Sequence, residues 1–96
     1  MFTKHYDQFN DAINQHGRTP DKFEEHDSLL WHEGKMYDLA KEYIEGVGDF
    51  TSYEIDYALR NIRWHVECIL EYVGLSINPE CVMYEMLDVQ SARLGA

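Results

Sequence analysis

Cysteine, proline and basic residues are all scarce in this chain: two cysteines (Cys68 and Cys81), two prolines (Pro20 and Pro79), and eight Lys and Arg together among 96 residues. Two cysteines are too few for the disulfide framework of a small secreted domain and fit a reducing compartment. The opening residues Met1-Phe2-Thr3-Lys4-His5 lack the apolar stretch of a secretion signal. No apolar run approaches the length that spans a bilayer. These absences point to a cytoplasmic chain with no membrane partner.

Catalytic signatures are missing as well. There is no Gly-x-Ser-x-Gly elbow, no glycine-rich phosphate loop, and no Glu-x-x-His pair of the kind that builds a di-iron bundle. His26-Asp27 matches the dyad of metal-dependent phosphohydrolases in two letters only, without the further histidines and aspartates that chemistry needs. Glu33 beside His32 has the right groups for acid–base work, but nothing in the sequence orients them. The chain is therefore expected not to be an enzyme and to carry no cofactor.

What is present is acid and apolar surface. Eighteen acidic residues against eight basic ones give a net charge of −10. Such a field repels nucleic acid and anionic lipid, and attracts basic protein surfaces. Hydrophobic residues make up 45% and aromatics 14%, enough to fill a core unaided. The length suits one helical domain spanning residues 1–96.

Four helices are predicted. In the first, Thr3 to His16, the residues Phe2, Tyr6, Phe9, Ile13 and His16 recur at helical spacing, and Gly17 is a natural stop. Thr19-Pro20 reads as the start of a second helix reaching Glu45, with a break or kink near Gly34. Its apolar positions are Phe23, Leu30, Tyr37, Ala40 and Ile44, followed by Val47. Gly46-Val47-Gly48-Asp49 reads as a turn.

Thr51-x-x-Glu54 forms a capping box for the third helix, with Phe50 and Ile55 placed as a hydrophobic staple. Ile55, Ala58, Leu59, Ile62, Val66, Ile69, Leu70 and Val73 then make one apolar face, which Gly74 and Leu75 close as a Schellman end. Asn78-Pro79 opens the fourth helix, which turns Val82, Met86 and Val89 inward and fades after Arg93. Facing apolar stripes and short connections predict an all-α fold, a small four-helix bundle or an orthogonal helical array.

Two surface features carry the functional expectation. On the third helix Tyr53, Tyr57, Arg60 and Trp64 fall opposite the core face, the composition of an interface hot spot. Asp56 and Arg60 are spaced to pair, as are Arg63 and Glu67. Between Asp21 and Asp56, eleven acids stand against Lys22, Lys35 and Lys41. Within that stretch Asp38, Glu42, Glu45 and Asp49 line one side, a like-charge spacing that opposes helix formation by roughly a few tenths of a kcal/mol per pair.

Together these features predict a small acidic binding protein or inhibitor. It would occupy a basic, nucleic-acid-binding surface of a larger partner, with carboxylates replacing phosphates and with no direct contact to nucleic acid. Small acidic proteins of this kind include phage-encoded inhibitors of host defence or transcription, an analogy of size and charge that no motif carries. A different class is a homodimeric adaptor or subunit packed through Tyr53, Tyr57 and Trp64. The third is a metal-binding protein: His65-x-x-Cys68 places two ligands one turn apart, as in half a zinc site. Cys81 and one of His5, His16, His26 or His32 would have to complete it, and packing within the core is the commoner role for such residues.

Overall fold

A computed structural model describes residues 2–17 and 28–95 of the chain. Four helices and one short 3-10 turn make up the described residues: α1 (Lys4–His16), α2 (Leu29–Gly46), the turn Val47–Asp49, α3 (Ser52–Val73) and α4 (Pro79–Arg93). No strand occurs among them, and the fold is the all-α helical assembly that the apolar periodicity requires.

The helix ends follow from local chemistry. At α3 the Thr51 hydroxyl accepts from the Glu54 amide at 3.2 Å, and the Glu54 carboxylate accepts from the Thr51 amide at 3.1 Å. Both otherwise orphaned donors are satisfied, which is the capping box in full. The same helix closes on Gly74 at φ 69°, where the Leu75 amide reaches back to the Leu70 carbonyl at 3.1 Å. Only glycine takes that left-handed backbone without strain. Asn78 caps α4 by accepting from the Glu80 amide at 2.9 Å, with Pro79 at the first helical position.

α2 departs from expectation at its start and in its phase. Ser28, in extended backbone, accepts from the Trp31 amide at 3.1 Å and begins α2 at Leu29, so, against expectation, no single helix runs through Ser28. Thr19, Pro20 and Phe23 lie outside the described residues. The helix runs unbroken through Gly34 and ends at Gly46. Its buried side is Leu29, His32, Met36 and Ala40, whereas Leu30 is 44% exposed and Tyr37 and Ile44 are only partly covered. A face starting at Leu29 is one residue out of phase with one starting at Leu30, and steps of three, four and four through His32 and Met36 bring the two together at Ala40, which is buried as its spacing predicts.

α2 and α3 pack along the most extensive of the helix interfaces, α1 lies against α4 and α3, and α4 also touches α2. One core joins all four: Phe9 and Ile13 of α1, Met36 and Ala40 of α2, Ile62, Val66 and Ile69 of α3, and Val82 and Met86 of α4 are fully buried. Full burial of such a side chain contributes about 1.5–3 kcal/mol each. Phe2 and His16 were expected on the inner face of α1, yet both are exposed. Phe2 precedes the first helical turn and His16 is the last helical residue, so both overhang the core. In α3 no residue before Ile62 is fully buried, and of the first half only partly covered residues such as Leu59 reach the core, so most of that half projects from it.

The N-terminus of α1 is capped from α4. Thr3 makes no side-chain cap bond and donates instead to Asp7 at 3.0 Å. Glu85 takes its place, accepting from the amides of His5 at 2.8 Å and Tyr6 at 3.2 Å, with its other oxygen 2.7 Å from the His5 ring. The positive end of the helix dipole favours an anion there. The Tyr6 and Tyr37 hydroxyls meet at 2.6 Å and tie α1 to α2. Burial, followed by that bond to Tyr6, pushes the Tyr37 phenol far above its ordinary value. No described helix is long and apolar enough to cross a membrane.

Candidate functional site

The surface stripe of α3 is exposed, as its spacing requires. Tyr53 is 74%, Tyr57 59% and Trp64 51% accessible. Tyr53 and Tyr57, one turn apart, stack with ring centroids 6.4 Å apart and planes 20° from parallel. Arg60 follows on the same stripe, but Asp56 claims it: the Arg60 Nε donates to the Asp56 carboxylate at 2.9 Å, and Nη2 makes a second contact to the same oxygen. That bond and the adjacent charge raise the guanidinium pKa further above its usual value. Arg63 donates to Glu80 at 3.0 Å and lies 3.5 Å from Glu67, so the sequence-adjacent pairing is joined by one that links α3 to α4.

Asp38, Glu42, Glu45 and Asp49 are all exposed, but they do not form an uninterrupted anionic stripe. Lys35 and Lys41 line the same recess of about 360 Å³ as Asp38, Glu42 and Glu45. Opposite charges interleaved on one face offset much of the repulsion that a bare carboxylate row would carry. Asp49 stands apart in the 3-10 turn and lines no recess with the others. Glu42 is the residue that joins the two features. Besides its place among the carboxylates, it lines a groove of about 230 Å³ with Leu39, Phe50, Tyr53, Glu54 and Tyr57. The groove opens between α2 and the projecting half of α3.

Trp64 belongs to a different constellation, one that sequence spacing could not assemble. His32 of α2 is fully buried and His65 of α3 is 6% exposed, and their Nδ1 atoms meet at 2.9 Å. The ring centroids are 5.1 Å apart. That separation exceeds the Nδ1 distance by about two centre-to-atom radii of an imidazole, so the two nitrogens lie nearly on the line between the rings. Such alignment suits a hydrogen bond, in which one ring donates its N–H and the other accepts, and it requires at least one neutral imidazole. A shared metal would instead need both lone pairs to converge on a point off that line.

Both indoles flank the pair. Trp31 lies 4.9 Å from His32 and 5.6 Å from His65, and Trp64 lies 5.4 Å and 4.8 Å from the same two rings. Lys35 Nζ sits 5.9 Å from the Trp31 ring. Burial holds the His65 imidazole below its usual pKa, and the neighbouring His32 and Lys35 lower it further.

Cys68, one turn beyond His65, lines a recess of about 460 Å³ together with His32, Trp64, Glu71 and Tyr72. Of the residues proposed to complete a zinc site, His5 contacts Glu85, His16 sits at the exposed end of α1, and Cys81 lies on α4 without a disulfide to Cys68. His26 and Asp27 lie outside the described residues. Among the described residues no group of three or more His, Cys, Asp or Glu gathers as a metal cluster. His65 thus pairs with His32 across the α2–α3 interface.

Comparison with known proteins gives no relative: no family model, curated protein or solved structure matches this chain.

Proposed function

We propose that the chain is a protein-binding module whose α2–α3 face engages a basic surface of a larger partner, a surface of the type that holds nucleic acid. The observation that carries this reading is the stacked, solvent-facing pair Tyr53 and Tyr57 at a groove whose walls also hold Glu42 and Glu54. Large aromatic surface beside carboxylates suits an arginine- or lysine-rich patch: the rings supply desolvated anchors and the acids supply register. The net charge of −10 accelerates encounter with such a patch. Asp38 and Glu45, with lysines between them, act as a rim, and the centre of the interface is Glu42, Tyr53 and Tyr57.

The test is recovery of a partner by the tagged chain at low and high salt, with competing duplex DNA, alongside Tyr53→Ser/Tyr57→Ser and Glu42→Gln variants. The reading expects one basic nucleic-acid-handling protein, displaced by salt and by DNA and lost with the tyrosine pair. Binding indifferent to salt, to DNA and to these substitutions refutes it. Recovery of the chain alone, with light scattering showing a dimer that the tyrosine substitutions split, transfers the same face to self-association.

A further inference from the structure

On α3 the residues Trp64, Cys68 and Tyr72 follow one another at intervals of four, so they stack along one stripe of the helix. A small side chain between two large aromatic ones leaves a notch. His32 of α2 supplies another wall, and Glu71 stands exposed at the edge. The resulting recess holds about 460 Å³ and shares no lining residue with the Tyr53–Tyr57 groove. Its walls thus combine an indole, a phenol ring, an imidazole and one carboxylate.

We propose that this notch binds a methylated ammonium group, the head of a choline-like molecule or of a methylated lysine side chain. Aromatic rings attract a cation through their quadrupole, and tryptophan does so best. A bare ammonium brings three N–H donors that a mostly aromatic recess leaves unmet. Methylation removes those donors and weakens hydration, so the head enters an aromatic site without unsatisfied bonds. Glu71 adds one countercharge at the rim, and the surrounding field of a chain at −10 favours any cation. The pattern already occurs once inside the protein: Trp31, the indole on the other flank of the histidine pair, carries the Lys35 ammonium at 5.9 Å. Trp64 is the corresponding indole on the open side, and half of its surface faces solvent.

The site is independent of the proposed partner interface and is tested on the isolated full chain. Choline and the N-acetyl amide of trimethyl-lysine are titrated separately while the Trp64 indole N–H resonance is followed, assigned with a Trp64→Phe spectrum. The expected result is a saturable shift with a dissociation constant on the order of millimolar. The neutral carbon analogue of choline, 3,3-dimethylbutan-1-ol, is expected to bind roughly tenfold more weakly. Glu71→Gln, at an exposed position that leaves the fold intact, weakens choline severalfold, and Trp64→Leu weakens it more. Tighter binding of the trimethyl-lysine amide assigns the site to a protein side chain, and equal binding assigns it to the free headgroup. No saturable shift with either cation overturns the proposal, and so does equal affinity for the neutral analogue.

Discussion

His65 gives the fold a stability that fades in mild acid. Burial, with His32 and Lys35 adding to it, holds its imidazole below the ordinary value of 6.5. The folded chain therefore binds that proton more weakly than the unfolded chain does, so stability is full above the unfolded value and declines below it. One proton sets the ceiling: the loss cannot exceed about 1.4 kcal/mol per pH unit. For a chain of this length that ceiling corresponds to a fall in Tm of at most roughly 5–10 °C per pH unit.

The measurement is thermal and urea unfolding at about pH 7.5, 6.5 and 5.5 for the natural chain and for His65→Gln, whose amide can still bond His32 but does not titrate in this range. Taking the difference between the two proteins cancels the histidines outside the pair. The natural chain is expected to lose more stability than His65→Gln between the first and last pH, by no more than about 1.4 kcal/mol per pH unit. Parallel pH profiles for the two proteins would show that His65 is not held neutral by the fold, and the reasoning would fail.

Glu85→Gln removes the anion that caps α1 and is expected to destabilise by about 1–3 kcal/mol in urea unfolding at neutral pH. Burial pushes the Glu85 carboxyl upward, but bonds from the Tyr6 amide and from the His5 ring and amide bring it below its usual 4.5. Its contribution is therefore present above that value and lost as pH falls through the lower folded value, a window separate from that of His65. Two glycines of α2 should respond oppositely to alanine. At Gly34 an added methyl meets nothing within 4 Å, so Gly34→Ala should stabilise by about 0.5–1 kcal/mol. At Gly46 it would come 2.9 Å from the Phe50 ring, so Gly46→Ala should gain less than that or destabilise, and the two Tm shifts measured side by side decide it.

Features written in a few neighbouring residues were legible before the structure. The capping box at Thr51, the glycine end at Gly74 and the Asn78-Pro79 start each depend on local backbone donors and acceptors, and all three form as read. The Asp56–Arg60 pair belongs with them. The phase of α2 was not legible, because Leu29 and Leu30 are equally apolar and only the facing helices decide which turns inward. The His32–His65 contact joins residues 33 apart on separate helices, and Glu85 reaches α1 across 80 positions. No periodicity encodes such meetings. Trp64 looked like a continuation of the tyrosine stripe by spacing, yet it packs beside His65 and meets His32 of α2, which places it with the histidines instead. Glu85 had a signal available: it is an acid that helical spacing puts beside the buried Val82 and Met86, where an unpaired carboxylate is not tolerated.

The projecting half of α3 has a consequence for how its backbone exchanges hydrogen with solvent. From Ser52 to Asn61 no side chain is fully buried, and besides its own ladder and capping box the helix is held only by partly covered residues such as Leu59. Amides there will exchange through brief local openings, while those from Ile62 onward wait for the whole fold to open. A ligand seated on Tyr53 and Tyr57 is released by either opening, so it would slow both groups by the factor with which it stabilises the folded chain. Slowing of both groups together would thus report occupancy of the face, whereas slowing of the second group alone would place the ligand on the part of the fold that stays closed during local opening.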